Sequence, residues 1–105
     1  MALNTFTKQS YEVFWISASF ANDLGDSEAI VLASSTVTAI DANGDDVTST
    51  VLVSGTISVS DQTLRIQVQA GSESLSPYKI TFRITTNASP VNKWEHDVRM
   101  KIKEL

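Results

Sequence analysis

The stretch Tyr78-Lys79-Ile80-Thr81-Phe82-Arg83-Ile84-Thr85 sets an apolar residue at every second position and a polar one between each pair. A second stretch repeats the pattern: Trp94, His96, Val98, Met100 and Ile102 alternate with Glu95, Asp97, Arg99, Lys101 and Lys103. Successive side chains of a strand point to opposite faces, so each stretch has one dry and one wet face, whereas a helix would scatter the same residues around its circumference. The chain is therefore built from half-buried strands.

Working toward the N-terminus, residues 63–70 alternate in the same way, with Leu64, Ile66, Val68 and Ala70 expected inward and Arg65, Gln67 and Gln69 outward. Residues 29–32, 36–41, 47–53 and 56–60 are Val/Ile/Thr-rich runs that predict further strands. Asn43-Gly44 supplies a hairpin signal, because both residues tolerate the positive φ of a tight turn. In residues 19–28, Phe20, Ala21 and Leu24 have helical spacing before Gly25, which predicts a single helical turn or a bent corner. Residues 11–17 carry Tyr11, Val13 and Trp15 on one face and Phe14 and Ile16 on the other. With both faces apolar, that strand is expected to be covered on both sides, one cover coming from a neighbouring subunit. Residues 1–9 read as a loose, extended arm with Leu3 and Phe6 as its apolar anchors, and residues 10–105 as one domain. Turn signals recur about every ten residues, and no long helical pattern separates the strands. The expected fold is all-β: an immunoglobulin-like antiparallel β-sandwich of about seven to nine short strands.

Composition narrows the function classes. At 42% hydrophobic and 19% charged, the 105 residues suit a folded domain rather than a disordered one. No apolar run is long enough for a membrane helix, and the N-terminus lacks the pattern of a signal peptide. The absence of cysteine favours a reducing site of synthesis. A net charge of −4 argues against a dedicated nucleic-acid binder, and no membrane partner is expected. The charge is uneven. Residues 1–64 hold eight acids against Lys8, a net of −7, while residues 65–105 hold seven bases against four acids, a net of +3. Different strands carrying different outward charges explain this, or acidic and basic flanks of neighbouring copies meet.

No catalytic, cofactor or metal site is expected. Asp41, Asn43 and Asp45 copy the opening of a calcium loop, but Asp46 stands where the loop needs glycine and Leu52 where it needs an acid. His96 is the single histidine and lies on the inward parity of its strand, so a satisfied, partly buried imidazole is the expected reading. Asp23, Asp26 and Glu28 form an acidic group without the cleft that paired-carboxylate chemistry requires. Trp15 and Trp94 invite a sugar-stacking role but sit in strands rich in core residues, which makes burial or subunit contact the expected use.

Several marks fall in a recognisable order: Trp15, Leu24-Gly25-Asp26, Ile30, then Ser34, Ser35, Val37 and Thr38. They continue with Ile66-Gln67-Val68-Gln69-Ala70-Gly71, the stretch from Tyr78 to Thr86, and Glu95 opening the last strand. This order resembles the phage fibre-tail adaptor family over roughly residues 10–103, although the Ser-rich segment after Gly71 and Asn87-Ala88-Ser89-Pro90 depart from its pattern. The resemblance implies a non-enzymatic virion protein assembled in the bacterial cytoplasm. It would act at the neck or tail, in multiple copies forming a ring, and bridge the particle to tail fibres or neighbouring tail proteins. A capsid decoration or cement protein and a receptor- or carbohydrate-binding module are the alternatives. Partner contacts are expected from Leu3 and Phe6 on the arm; Phe20, Leu24 and Asp26 at the corner; Ser74 and Leu75 in the loop of residues 71–77; and the basic row Arg99, Lys101 and Lys103.

Overall fold

The computed structural model describes residues 4–104. Seven strands form two sheets: β1 (Asn4–Lys8), β2 (Phe14–Ser19), β3 (Thr36–Ile40), β4 (Ser58–Ser60), β5 (Thr63–Val68), β6 (Tyr78–Thr85) and β7 (Lys93–Ile102). The first sheet runs β1-β7-β6-β3 and the second β2-β5-β4. All pairings are antiparallel except β1 with β7, which is parallel. This is the all-β, immunoglobulin-like sandwich that the alternation predicts.

β6 and β7 pair in register from Tyr78↔Met100 to Thr85↔Lys93, which sets the apolar members of both stretches on one face. Those residues meet the inward side chains of β5 across the seam: Ile80, Phe82, Ile84 and Met100 against Leu64, Ile66 and Val68, all buried. Each such side chain contributes roughly 1.5–3 kcal/mol of transfer free energy, so the facing apolar surfaces suffice without disulfide or metal.

The N-terminal segment is not a loose arm over its described part. Residues 4–8 add a strand to β7, in register from Asn4↔Val98 to Lys8↔Ile102. Phe6 meets the Phe14 ring edge-on at 5.8 Å and so bridges the sheets. Lys8 is buried, and its ammonium donates to the carbonyls of Gln9 (2.7 Å), Ser10 (3.2 Å) and Ala70 (2.7 Å). Burial lowers the pKa of that amine, with Glu12 and Glu104 opposing the shift.

Four other expectations change. Within residues 47–53 the chain forms a helical turn, α1 (Thr48–Val51), before Leu52 bridges Val68. Val51 and Leu52 are adjacent and both buried, which a one-faced strand cannot achieve. Asp46 secures the turn by accepting the Thr48 N–H at 2.9 Å, and Thr48 Oγ1 accepts the Ala39 N–H at 3.0 Å. Residues 29–32 contribute one bridge, Ile30↔Thr86, and then a 3₁₀ turn over Leu32–Ser34. The strand of residues 11–17 begins instead at Phe14 and ends at Ser19. Ala70, expected inward, lies two residues beyond the end of β5 and is exposed at φ 51.

Gly71 follows at φ +98, and a Cβ there would lie 2.8 Å from Ile102 Cδ1. Gly25 has open space around its own Cβ position. Gly71→Ala is therefore expected to destabilise the fold by about 1–3 kcal/mol. Gly25→Ala should stay within about 0.5 kcal/mol of the parent. Urea denaturation midpoints of the two variants check the contrast; equal midpoints would contradict it.

Candidate interaction surfaces

The residues singled out from the sequence separate into three groups in space. Phe20 and Leu24 lie in the core, so their assignment to partner binding is corrected. Their spacing of four, closed by the Leu24 N–H to Phe20 C=O bond at 3.1 Å, puts both on one side of a single turn, and that side faces inward. Phe6 is likewise spent on Phe14, and Leu75 packs against the core from the 3₁₀ turn Glu73–Leu75. Asp26, Ser74, Arg99, Lys101 and Lys103 are exposed. Leu3 lies outside the described residues.

Three exposed apolar residues lie at the start of β2 and on the segment that enters it. Tyr11 is 94% exposed, Val13 55% and Trp15 45%, while Phe14 and Ile16 face the core. The inward face expected for this strand, Phe14 and Ile16, packs against the core; of the expected outward row only Trp15 lies on β2, with Ser17 and Ser19 after it, and Tyr11 and Val13 precede the strand. β2 is also an outer strand of its sheet, and its residues 14–19 include no charge and no proline. Those are the usual devices that protect an edge from pairing with another chain. The Arg65 guanidinium carbon lies over the Trp15 ring, 4.4 Å from its centroid, a cation–π contact.

The outward face of β6 and β7 carries most of the chain's bases. Lys79, Arg83, Lys93, Arg99 and Lys101 all project from it, with Lys103 just beyond the strand end. Arg83 pairs with Glu95 at 2.6 Å, and Asp97 accepts the Thr81 hydroxyl at 2.7 Å. Lys79 stands directly opposite Arg99 in the register. Among the described residues the side chains of Lys79, Arg99, Lys101 and Lys103 make no hydrogen bond or ion pair. Lys79 was missed as a candidate because it lies in a different alternating stretch from the row Arg99, Lys101 and Lys103. Antiparallel pairing of the two stretches brings them together.

The acidic corner occupies the far end of β7. Asp23 Oδ2 and His96 Nε2 lie 2.7 Å apart, and Phe20 meets the imidazole edge-on at 4.4 Å. His96 is thus half-buried and satisfied, as its parity implies. Ser17, Ser19 and Asn22 line a recess of about 410 Å³ beside this pair, and Ser19 Oγ accepts the Ala21 N–H at 3.4 Å. Gln62 ties the corner to the turn at Asp61, donating to the carbonyls of Gly25 and Glu28, each at 2.8 Å. The Glu28 carboxylate accepts from Thr86 Oγ1, from Asn92 Nδ2 at 3.0 Å and from the Gly25 N–H at 3.1 Å. These bonds hold its pKa below the ordinary value, the Thr86 hydroxyl contributing most. At the opposite end, the Asp41 carboxylate accepts the N–H groups of Asn43 (2.9 Å) and Asp45 (3.1 Å), so the triplet Asp41, Asn43, Asp45 forms a turn closed on itself.

No family model matches the chain, and no curated protein matches it.

A lowered carboxylate pKa in the folded state adds stability that is present above the unfolded value and lost as pH falls through the folded one. Stability is therefore expected to decline below about pH 4.5, the ordinary value for such a carboxyl, partly through Glu28. Glu28→Gln should flatten that decline while leaving a smaller difference at pH 3 than at pH 7. Thermal melts of both proteins across this range measure it, and parallel curves would contradict the assignment.

Proposed function

We propose that this chain is a non-enzymatic assembly protein of a tailed-phage particle, an adaptor at the neck or tail that bridges it to fibres or neighbouring tail proteins. The observation that carries the reading is the set of exposed apolar residues Tyr11, Val13 and Trp15, the first two on the segment entering β2 and Trp15 on the outward face of β2, an outer strand without charge or proline. Exposed apolar sets of this kind mark protein contacts, and an unpaired strand edge can add to a partner's sheet. The ordered motifs from Trp15 to Glu95 supply the tail-adaptor part of the reading. In this reading the partners are other virion proteins, the copies are several, and the site is the virion.

The adaptor reading predicts that the purified chain co-sediments with tail or neck proteins of its own particle and not with isolated capsids. Co-sedimentation with capsids would indicate the decoration role instead. Tyr11→Ser combined with Trp15→Ser should weaken capture about tenfold or more, because buried aromatic anchors dominate interface energetics. Circular dichroism of the variant separates lost binding from lost folding. Unchanged capture would overturn the role of these residues.

The same exposed aromatics favour a second reading, a carbohydrate- or receptor-binding module, since sugars stack on such rings. Glycan binding that disappears in a folded Trp15→Ala protein would select it over the adaptor.

A further inference from the structure

We infer that the basic outer face of β6 and β7 docks onto the acidic corner of a second copy of this chain. The inference rests on the assembly reading and names one partner within it. Six bases share this face with two acids, both of which are engaged: Glu95 by Arg83 and Asp97 by Thr81. The face is thus +4 on a chain of net −4, and everything else sums to −8. Lys79 stands directly beside Arg99 across the strands, where like charges in register repel; Asp41 lines the same recess, but its carboxylate accepts the Asn43 and Asp45 N–H groups and bonds neither base. A partner carboxylate laid between them would reverse the sign of that term.

The chain supplies such carboxylates itself. At the corner Asp23 is engaged by His96 and Glu28 by Thr86, Asn92 and the Gly25 N–H, which leaves the exposed Asp26 and Asp61, the latter on the turn that Gln62 fastens beside them. The corner cannot neutralise the basic row of its own molecule. Asp23 touches His96, and Arg99 and Lys101 lie three and five residues further along β7, roughly 10–17 Å by the rise of a strand. That is a Debye length or more at physiological salt. A polyanion such as nucleic acid meets the same face but is repelled by the strongly negative remainder. The second copy is favoured because it offers a compact acidic patch matched to one face. The two surfaces are different, so the contact is head-to-tail and propagates into a ring or filament rather than a two-fold dimer.

Sedimentation velocity at about 20 mM and about 0.5 M NaCl, where the screening length falls from roughly 20 Å to 4 Å, tests this. The wild-type chain should associate at low salt and weaken about tenfold or more at high salt. Lys79→Glu/Arg99→Glu takes the face from +4 to 0, and Asp26→Lys/Asp61→Lys takes the corner from −4 to 0, so a mixture still offers the intact corner of the first variant to the intact face of the second. Each double variant should sediment as a monomer at low salt, while an equimolar mixture of the two should associate again. All four positions are exposed, and thermal melts confirm folding. A wild-type monomer at every concentration, association that persists in both variants, or a mixture that stays monomeric overturns the inference. So does low-salt binding of duplex DNA that replaces self-association and is lost in Lys79→Glu/Arg99→Glu. Trp15→Ser should leave self-association intact. Capture by tail proteins lost in Trp15→Ser but kept in the charge variants separates failure of this contact from failure of the adaptor reading.

Discussion

Each sheet of this protein has one apolar face, and the two faces can be kept from water only by covering each other. That constraint orders the rest of the structure. It fixes the register of β6 against β7, because a slip of β6 by one residue would turn Ile80, Phe82 and Ile84 outward while Val98 and Met100 of β7 stayed inward. It also explains why Phe20 and Leu24 are drawn inward from the corner and Val51 and Leu52 from the segment after the Asp41–Asp45 turn, where one bridge, Ile40↔Asp46, stands in place of the expected hairpin. All four fill the rim of a seam that the strands alone leave open. In a chain of 105 residues the interior is used up by this single layer of contact. Two outer faces and the strand edges are left for any other role.

The edges are finished unequally. On the β7 side, β1 adds a strand, and Lys8 closes the junction by sending its ammonium to three carbonyls. Those acceptors come from two chain segments, Gln9–Ser10 and Ala70, so one cation ties the N-terminal strand to the loop that leaves β5. A buried charge is tolerable there because all three of its protons are directed at oxygens. On the β2 side nothing comparable is built. Its outward row is Trp15, Ser17 and Ser19, and no further strand pairs with its outer side. β1 is in turn the outer strand of its sheet, so on that side the edge is moved outward and bonded down rather than removed.

How much of this could be read in advance depended on whether local pattern and tertiary demand agreed. β5, β6 and β7 alternate strictly and bury one face, so their periodicity carried the fold class. β1 was hidden because Leu3 and Phe6 are three apart and share no strand face; its pairing is driven by an unfilled edge of β7, which no local signal reports. Residues 47–53 misled through β-branched composition, since Val and Thr favour strands until two adjacent side chains must both be buried. At the candidate surfaces the outward row Arg99, Lys101 and Lys103 was legible from parity, as was the inward face of Phe14 and Ile16. Lys79 was not, because only the antiparallel register makes it a neighbour of Arg99. Phe20 and Leu24 failed as surface candidates for an instructive reason. A spacing of four identifies a shared face but does not say which way that face points.

The two outer faces carry different kinds of interaction, and they do so on different sheets. Apolar contact along β2 is short-ranged, insensitive to salt and suited to holding a partner once it is seated. The charged face of β6 and β7 acts over a Debye length, falls away with ionic strength and is suited to orienting a partner before contact. Separating them matters because a row mixing bases with exposed aromatics would bind acidic and apolar surfaces alike. Here Trp15 keeps a single guanidinium, that of Arg65, stacked on its ring, while the uncommitted bases stand on the opposite side of the sandwich. A protein so divided can engage two neighbours at once without one competing for the other's surface, which is the minimum that any bridging role requires of a seven-stranded domain.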